Sequence, residues 1–317
     1  MSDLLSGFDL LLADLDGTLY AGREAVPGAV AAITGAAQRG VRTAYVTNNA
    51  SRRPADVAAH LSELGFPAAT EDVRTSSQAG ASLLAEQLPA GAKVLVLGTD
   101  ALRDEVAQRG LTPIDTAAGA DAVIHGHSPD TGWRQLAEAT LAIRAGAVWV
   151  ATNIDPTLPT ERGPMPGNGS MVGVVRIATG LEPQVAGKPA PTLLSQAAVG
   201  AERPLVIGDR LDTDIEGGNA AGLPTLLVLT GVSTAREALE AAPELRPTYI
   251  GADLGVLTQD PGTDGWTVRE GVLTGDGEPI AALRALCAAH WSAGGGPATV
   301  RGEGDAARHA LDSLGLA

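Results

Sequence analysis

The sequence predicts an α/β fold: a Rossmann-like parallel-sheet core, interrupted by a large inserted α/β domain and followed by a small α+β module. Three observations carry this. Short apolar runs end abruptly in Asp, Asn, Thr or Gly, as buried parallel strands do at their carboxyl ends. Those runs alternate with helical stretches from Leu10 to about Ile250. The pattern then changes near Leu257, just before the loop-forming Pro261-Gly262-Thr263-Asp264-Gly265. At 317 residues the chain is too long for one ordinary core.

The opening run Leu10-Leu11-Leu12-Ala13 reads as a central strand buried on both faces. It ends in Asp14-Leu15-Asp16-Gly17-Thr18. Residues i and i+2 of an extended chain point the same way, so Asp14 and Asp16 can share one site. Open α/β sheets bind their ligands at that edge. A helix is expected from Pro27-Gly28 to about Arg39, closed by Gly40. The strand Val41 to Val46 then runs into Thr47-Asn48-Asn49-Ala50-Ser51-Arg52. Hydroxyl and amide side chains ahead of a helix suit an anion cradle, and equally a polar loop with an N-cap.

Helices are expected over Ala55 to Leu64 and from Thr75-Ser76-Ser77 to about Gln87. A second alternation follows: strand Lys93 to Leu97, helix Ala101 to Arg109, strand Asp121 to His125, helix Trp133 to Ala145, strand Val148 to Thr152. His125 and His127 have no third ligand at zinc spacing and read as ordinary loop histidines. Asp155 to Ser170 reads as a long irregular segment, which inside a compact unit is usually functional. Gly167-Asn168-Gly169-Ser170 reads as the cap of a helix ending near Thr179.

Lys188 precedes Pro189, which excludes it from a helix interior and leaves it on a rigid loop. Leu205 to Ile207 repeats the opening logic, ending in Gly208-Asp209, with Asp212 read as an N-cap and Asp214 close behind. Thr225 to Leu229 and Pro247 to Ile250 are further strands. The tail reads as a hairpin around Thr274-Gly275-Asp276-Gly277, a helix over Pro279 to Trp291, a short strand, and a helix over Asp305 to Leu314. A module of this size is expected to lean on a neighbour.

Composition narrows the function. A net charge of -15 argues against nucleic acid and anionic membranes as partners. It also means that an anionic substrate needs a local cation. No apolar stretch approaches the roughly 20 residues of a membrane helix, and no secretory signal is visible. The single Cys287 rules out an internal disulfide and suits a cytoplasmic setting. The strand ends together supply Asp14, Asp16, Asp209 and Asp214, with Thr47, Asn48 and Lys188. Carboxylates this dense require a cation, and Mg²⁺, which favours oxygen ligands, fits best.

Asp14-Leu15-Asp16-Gly17-Thr18, Thr47-Asn48-Asn49, Lys188-Pro189 and Gly208-Asp209 to Asp214 resemble the four motifs of haloacid dehalogenase-type phosphatases. The insertion between the second and third motifs resembles the 4-nitrophenyl phosphate, phosphoglycolate and pyridoxal phosphatase subfamily. The resemblance covers about residues 8–257. It implies phosphatase core at 1–78 and 187–257, an inserted cap at 79–186 and the module at 258–317, similar to a shortened acetyltransferase-like fold. It implies that Asp14 attacks phosphorus, and that Asp16 protonates the leaving alkoxide and then activates water. Thr47, Asn48, Asn49 and Lys188 would meet the phosphoryl group. Mg²⁺ would be held by Asp14, the Asp16 carbonyl and Asp209, with Asp214 ordering its waters.

Pyridoxal phosphatases of this type carry a histidine where Leu158 stands. The run Asp155 to Gly163 looks more like phosphoglycolate and glycerol 3-phosphate phosphatases, the actinobacterial ones in particular, and makes Leu158 and Arg162 the side chains expected near the substrate. The resemblance thus implies a cytoplasmic Mg²⁺-dependent phosphatase of a small phosphorylated metabolite. Glycerol 3-phosphate comes first, phosphoglycolate or a broad metabolite range second. A homodimer through the cap is left open. A phosphate-metabolite sensor is a reading from another class, against which Asp16 argues, because binding alone needs no general acid.

Overall fold

The computed structural model describes residues 3–158, 160 and 162–317. Pro159 and Glu161, within the stretch read as irregular, lie outside the described residues. The chain forms two compact units. One comprises the chain up to Ala44 with Leu64–Pro67 and Gly200–Ala317; the other comprises Tyr45–Glu63 and Ala68–Val199.

In the first unit the strands Leu10–Ala13, Pro204–Gly208, Thr225–Val228 and Tyr249–Gly251 lie side by side and parallel. Leu10 pairs with Pro204 and Ala13 with Ile207. Every residue of the first three strands is buried. That explains why they read as continuous apolar runs rather than alternating ones. Asp14 N–H extends the ladder by one bond, to the Ile207 carbonyl at 2.9 Å. The aspartate is thereby fixed at the strand end.

The tail folds onto this unit. Trp266–Arg269, Val272–Gly275 and Arg301–Gly302 form a three-stranded sheet. The hairpin turns at Glu270-Gly271, not at the expected 274–277. Both residues take positive φ (49° and 77°), as a two-residue turn matching strand twist requires. Trp266, Leu273, Leu283, Leu286 and Leu311 share one core with Leu239 and Ile250. The tail therefore has no separate apolar centre. Cys287 lies in that core, and burial pushes its thiol up to about 12.

The second unit holds a five-stranded parallel sheet ordered Gln184–Val185, Val148–Ala151, Ala122–His125, Lys93–Leu97, Thr112–Ile114. Thr112–Ile114 and Gln184–Val185 escaped the sequence reading. They are very short, and they occupy the two sheet edges, where no long apolar run is needed. Thr75 caps the helix Ser76–Gln87 reciprocally with Gln78. Thr157–Leu158 pairs antiparallel with Met165–Pro166, so two short strands lie within the stretch expected to be irregular. Alternating prolines and glycines hid that pairing from any periodicity.

His125 is fully buried at the end of its strand, and neither ring nitrogen has a hydrogen-bond partner. Burial holds its pKa down to about 4. The folded protein thus keeps the ring neutral while the unfolded chain takes up a proton near pH 6.5. Stability from this source is complete above that pH and is lost as pH falls towards 4, by roughly 3 kcal/mol at most. Urea unfolding at pH 7, 6 and 5 should show this decline, and His125→Leu should flatten it. An unchanged slope would remove His125 as its cause.

Candidate active site

The first unit gathers three carboxylates at the ends of its strands. Asp14 follows Leu10–Ala13, Asp209 follows Pro204–Gly208, and Asp214 lies in the π-turn Leu211–Ile215. One carboxylate oxygen from each lies within 4.8 Å of the others. Asp209 and Asp214 are buried and Asp14 is half-buried. Thr18 Oγ1 donates to Asp209 Oδ1 at 3.2 Å, and Val232 N–H donates to Asp209 Oδ2 at 2.7 Å. Arg210 N–H donates to Asp214 Oδ2 at 3.1 Å. Asp16 is exposed, and its carboxylate is not part of the cluster.

Glycines make the room. A Cβ on Gly17, whose φ is +87°, would lie 2.5 Å from Asp209 Oδ2. One on Gly231 would lie 2.0 Å from the same oxygen, and one on Gly208 would lie 2.1 Å from Asp214 Cγ. An all-oxygen donor set with a shared focus suits a hard divalent cation such as Mg²⁺. The residues present fit that ion.

Asp212 is not the N-cap it was expected to be. Arg210 occupies that position, and Asp212 forms an exposed ion pair with the Arg210 guanidinium at 2.8 Å. The wider π-turn brings Asp214, rather than Asp212, back over the Arg210 N–H.

Thr47, Asn48, Asn49 and Lys188 belong to the second unit. Thr47 Oγ1 accepts the Asn49 N–H at 3.0 Å, and Asn49 Oδ1 accepts the Ser51 N–H at 2.8 Å. Lys188 is 2% exposed. The Asn48 carboxamide bonds to the Lys188 main chain through both of its ends. Leu158 is half-buried in the short hairpin, opposite Met165, whereas Arg162 is exposed in its turn. The glycine-rich run before the helix Asn168–Thr179 does cap it. Gly167 N–H donates to the Pro156 carbonyl and Gly169 N–H to the Asp155 carbonyl, each at 2.9 Å. Sequence reasoning gave Gly231, Asn153 and Asn168 no part in the site, reading Asn168 only within a helix cap. The one signal was an asparagine set between two glycines.

Residues 11–112 match the family model of haloacid dehalogenase-like hydrolases, and residues 185–257 match a second model of such hydrolases. The D-glycerol 3-phosphate phosphatase of Mycobacterium tuberculosis is 57% identical over 263 residues, which is 82% of this chain and 74% of that protein. The chain belongs to the haloacid dehalogenase-like hydrolases. An acid sugar phosphatase of Staphylococcus aureus is 38% identical over 247 residues, covering 77% of this chain and 94% of that one. The crystal structure of the M. tuberculosis glycerol phosphate phosphatase in complex with magnesium superposes with a TM-score of 0.95. It is 50% identical and covers 100% of both chains. Residues 263–316 match a GCN5-related N-acetyltransferase-like domain.

In a hydrolase of this family, the glycine clearances have a direct consequence. Gly208→Ala should drive Asp214 out of the cluster. It should weaken Mg²⁺ binding by at least about tenfold, with a loss of about 1–3 kcal/mol in stability from the forced contact. Calorimetric Mg²⁺ titration and thermal melting would check both, and wild-type Mg²⁺ affinity in the variant would refute the clearance argument.

Proposed function

We propose that this chain is a Mg²⁺-dependent phosphomonoesterase whose substrate is glycerol 3-phosphate. The observation that carries the reading is the Asp14, Asp209 and Asp214 cluster on glycine-cleared strand ends. The activities of the relatives described above support it.

On this reading an Asp14 oxygen forms a bond to phosphorus while the ester P–O bond breaks, and the electron pair leaves with the alkoxide. The Asp16 carboxyl gives its proton to that alkoxide. Water then attacks the aspartyl-phosphate, Asp16 takes the proton back, and phosphate and the Asp14 carboxylate are released. Asp16 is exposed, as suits a group that must reach both the leaving alkoxide and the attacking water. Asp14, the Asp16 carbonyl and Asp209 would hold Mg²⁺, with Asp214 ordering its waters; when bound, the ion offsets charge on the phosphoryl oxygens. Thr47 and Lys188 are assigned those same oxygens, with Asn48 and Asn49 shaping their loop.

The reading keeps the division into core (1–78 and 187–257), cap (79–186) and tail (258–317). The tail is assigned no catalysis: Glu303 stands just before its last helix and Asp305 opens that helix, so negative charge sits where an acyl donor's phosphates would need a cradle. Trp133, Leu141 and Ile177 are exposed apolar side chains on helices of the second unit, which supports a homodimer through the cap. The acid sugar phosphatase relatives favour a second reading, a broader range of small phosphate esters. No described helix is long and apolar enough to cross a membrane; the cytoplasm is proposed as the setting.

A panel of small phosphomonoesters should give the highest kcat/KM with glycerol 3-phosphate, and chelation by EDTA should abolish turnover. No turnover of any ester with Mg²⁺ present would overturn the reading. Asp14→Asn should lose activity by many orders of magnitude while folding normally. Asp16→Asn should keep near-normal Mg²⁺ affinity and retain more activity on 4-nitrophenyl phosphate, whose leaving group needs little protonation. If it loses Mg²⁺ as Asp209→Ala does, the division of roles is wrong.

Leu158 and Arg162 are assigned the alcohol half of the substrate. Leu158→His should shift the kcat/KM ratio between glycerol 3-phosphate and pyridoxal phosphate by about 1–3 kcal/mol. A ratio unmoved by substitutions at both positions would place specificity elsewhere.

A further inference from the structure

Lys188 is gripped through its main chain by the Asn48 side chain. The Asn48 main chain is held in turn by the Asn153 side chain, and the Asn153 main chain by the Asn168 side chain. Asn48 Oδ1 accepts the Lys188 N–H at 2.8 Å, and Asn48 Nδ2 donates to the Lys188 carbonyl at 2.9 Å. One planar amide thereby fixes both polar groups of the lysine backbone. The same Nδ2 reaches the Asp155 carboxylate at 3.3 Å. The Asn48 carbonyl accepts from Asn153 Nδ2 at 2.7 Å and from the Ser76 hydroxyl at 2.5 Å. The Asn153 carbonyl accepts from Asn168 Nδ2 at 2.7 Å, and Asn168 Nδ2 also reaches the His125 carbonyl at 3.1 Å. Asn153 and Asn168 are 4% and 2% exposed, so no water replaces a lost partner.

The backbones around this chain of amides are pressed together. A Cβ on Gly187 would lie 2.5 Å from the Thr152 carbonyl oxygen and 2.7 Å from Asn48 Oδ1. One on Gly169 would lie 2.0 Å from the Ile154 oxygen, and one on Gly167 would lie 2.3 Å from the Asp155 oxygen. Asp155 in turn leads directly into the hairpin that carries Leu158. A lysine side chain has four rotatable bonds, so where its Nζ falls depends on where its Cα is held.

We propose that Asn153 and Asn168 are positioning residues for Lys188. The amide relay His125–Asn168–Asn153–Asn48 sets the lysine's main chain and, through Asp155, the entry to the hairpin. Asn48 on this account grips protein rather than substrate. The inference rests on the assignment of the phosphoryl oxygens to Lys188.

Asn153→Asp keeps the shape of the side chain and replaces the Nδ2 donor with an oxygen that repels the Asn48 carbonyl. Asn168→Ala removes the next link and serves as the second variant. In the full-length protein, each should lower kcat/KM for glycerol 3-phosphate by about 10- to 100-fold. Each should raise the inhibition constant of inorganic phosphate, and each should leave Mg²⁺ affinity unchanged. In a Lys188→Ala background Asn153→Asp should add little, because a residue acting through the lysine has nothing left to position. An equal further loss in that background, an unmoved phosphate constant, or weakened Mg²⁺ binding would overturn the proposal. Failure of both variants to fold would do the same, by assigning the relay to the fold alone. If Lys188→Ala itself binds phosphate like wild type, the lysine's own role is wrong and the relay falls with it.

Discussion

The structure of the first unit is governed by repulsion. Two unit charges 4.8 Å apart interact by about 3 kcal/mol at an effective dielectric of 20. Three mutually close aspartates would contain that penalty three times over if all were ionised. The fold brings them together regardless. It does so by anchoring Asp14 to the sheet ladder, giving Asp209 a hydroxyl and a backbone N–H, and giving Asp214 the Arg210 N–H. Those bonds hold the oxygens in place without neutralising them. The residual repulsion is what a divalent cation relieves, so affinity for the ion is stored in the strand ends before it arrives.

Asp16 shows how little distance separates two kinds of chemistry. It sits two residues beyond Asp14 yet is exposed, while Asp209 and Asp214 are buried among donors. On the proposed mechanism the buried pair serves the ion and the exposed carboxylate the proton. Gly17, at φ +87°, turns the backbone directly after Asp16 and keeps it close against Asp209, where a Cβ would lie 2.5 Å from Oδ2.

What the sequence disclosed followed from how each feature is encoded. Leu10–Ala13 and Pro204–Gly208 were legible because burial on both faces demands unbroken apolar runs, and Asp14 and Asp209 were legible because they end those runs. The helix starting at Ser76 announced itself through Thr75-Ser76-Ser77. Asp212 was misread because π-turn spacing cannot be distinguished from α-helical spacing in a short polar stretch. The Thr157–Leu158 and Met165–Pro166 pairing, two residues a side, leaves no period to detect. Asn153 and Asn168 were invisible for another reason. Their partners are backbone carbonyls far away in the chain, and any residue supplies a carbonyl.

Leu10–Ala13 also imposes an order on biosynthesis. The strand Pro204–Gly208, against which it pairs, is nearly two hundred residues downstream. At about 5–20 residues per second, a ribosome needs roughly 10–40 s to deliver that partner. The residues of the second unit, which end at Val199, have all emerged before it does. The sheet there can close while the nascent chain still carries an unpaired apolar edge near its amino terminus. The tail, whose core includes Leu239 and Ile250, joins last. A chaperone that shields the edge of Leu10–Ala13 facing Pro204–Gly208 until late in translation would therefore protect the strand edge that waits longest for its partner.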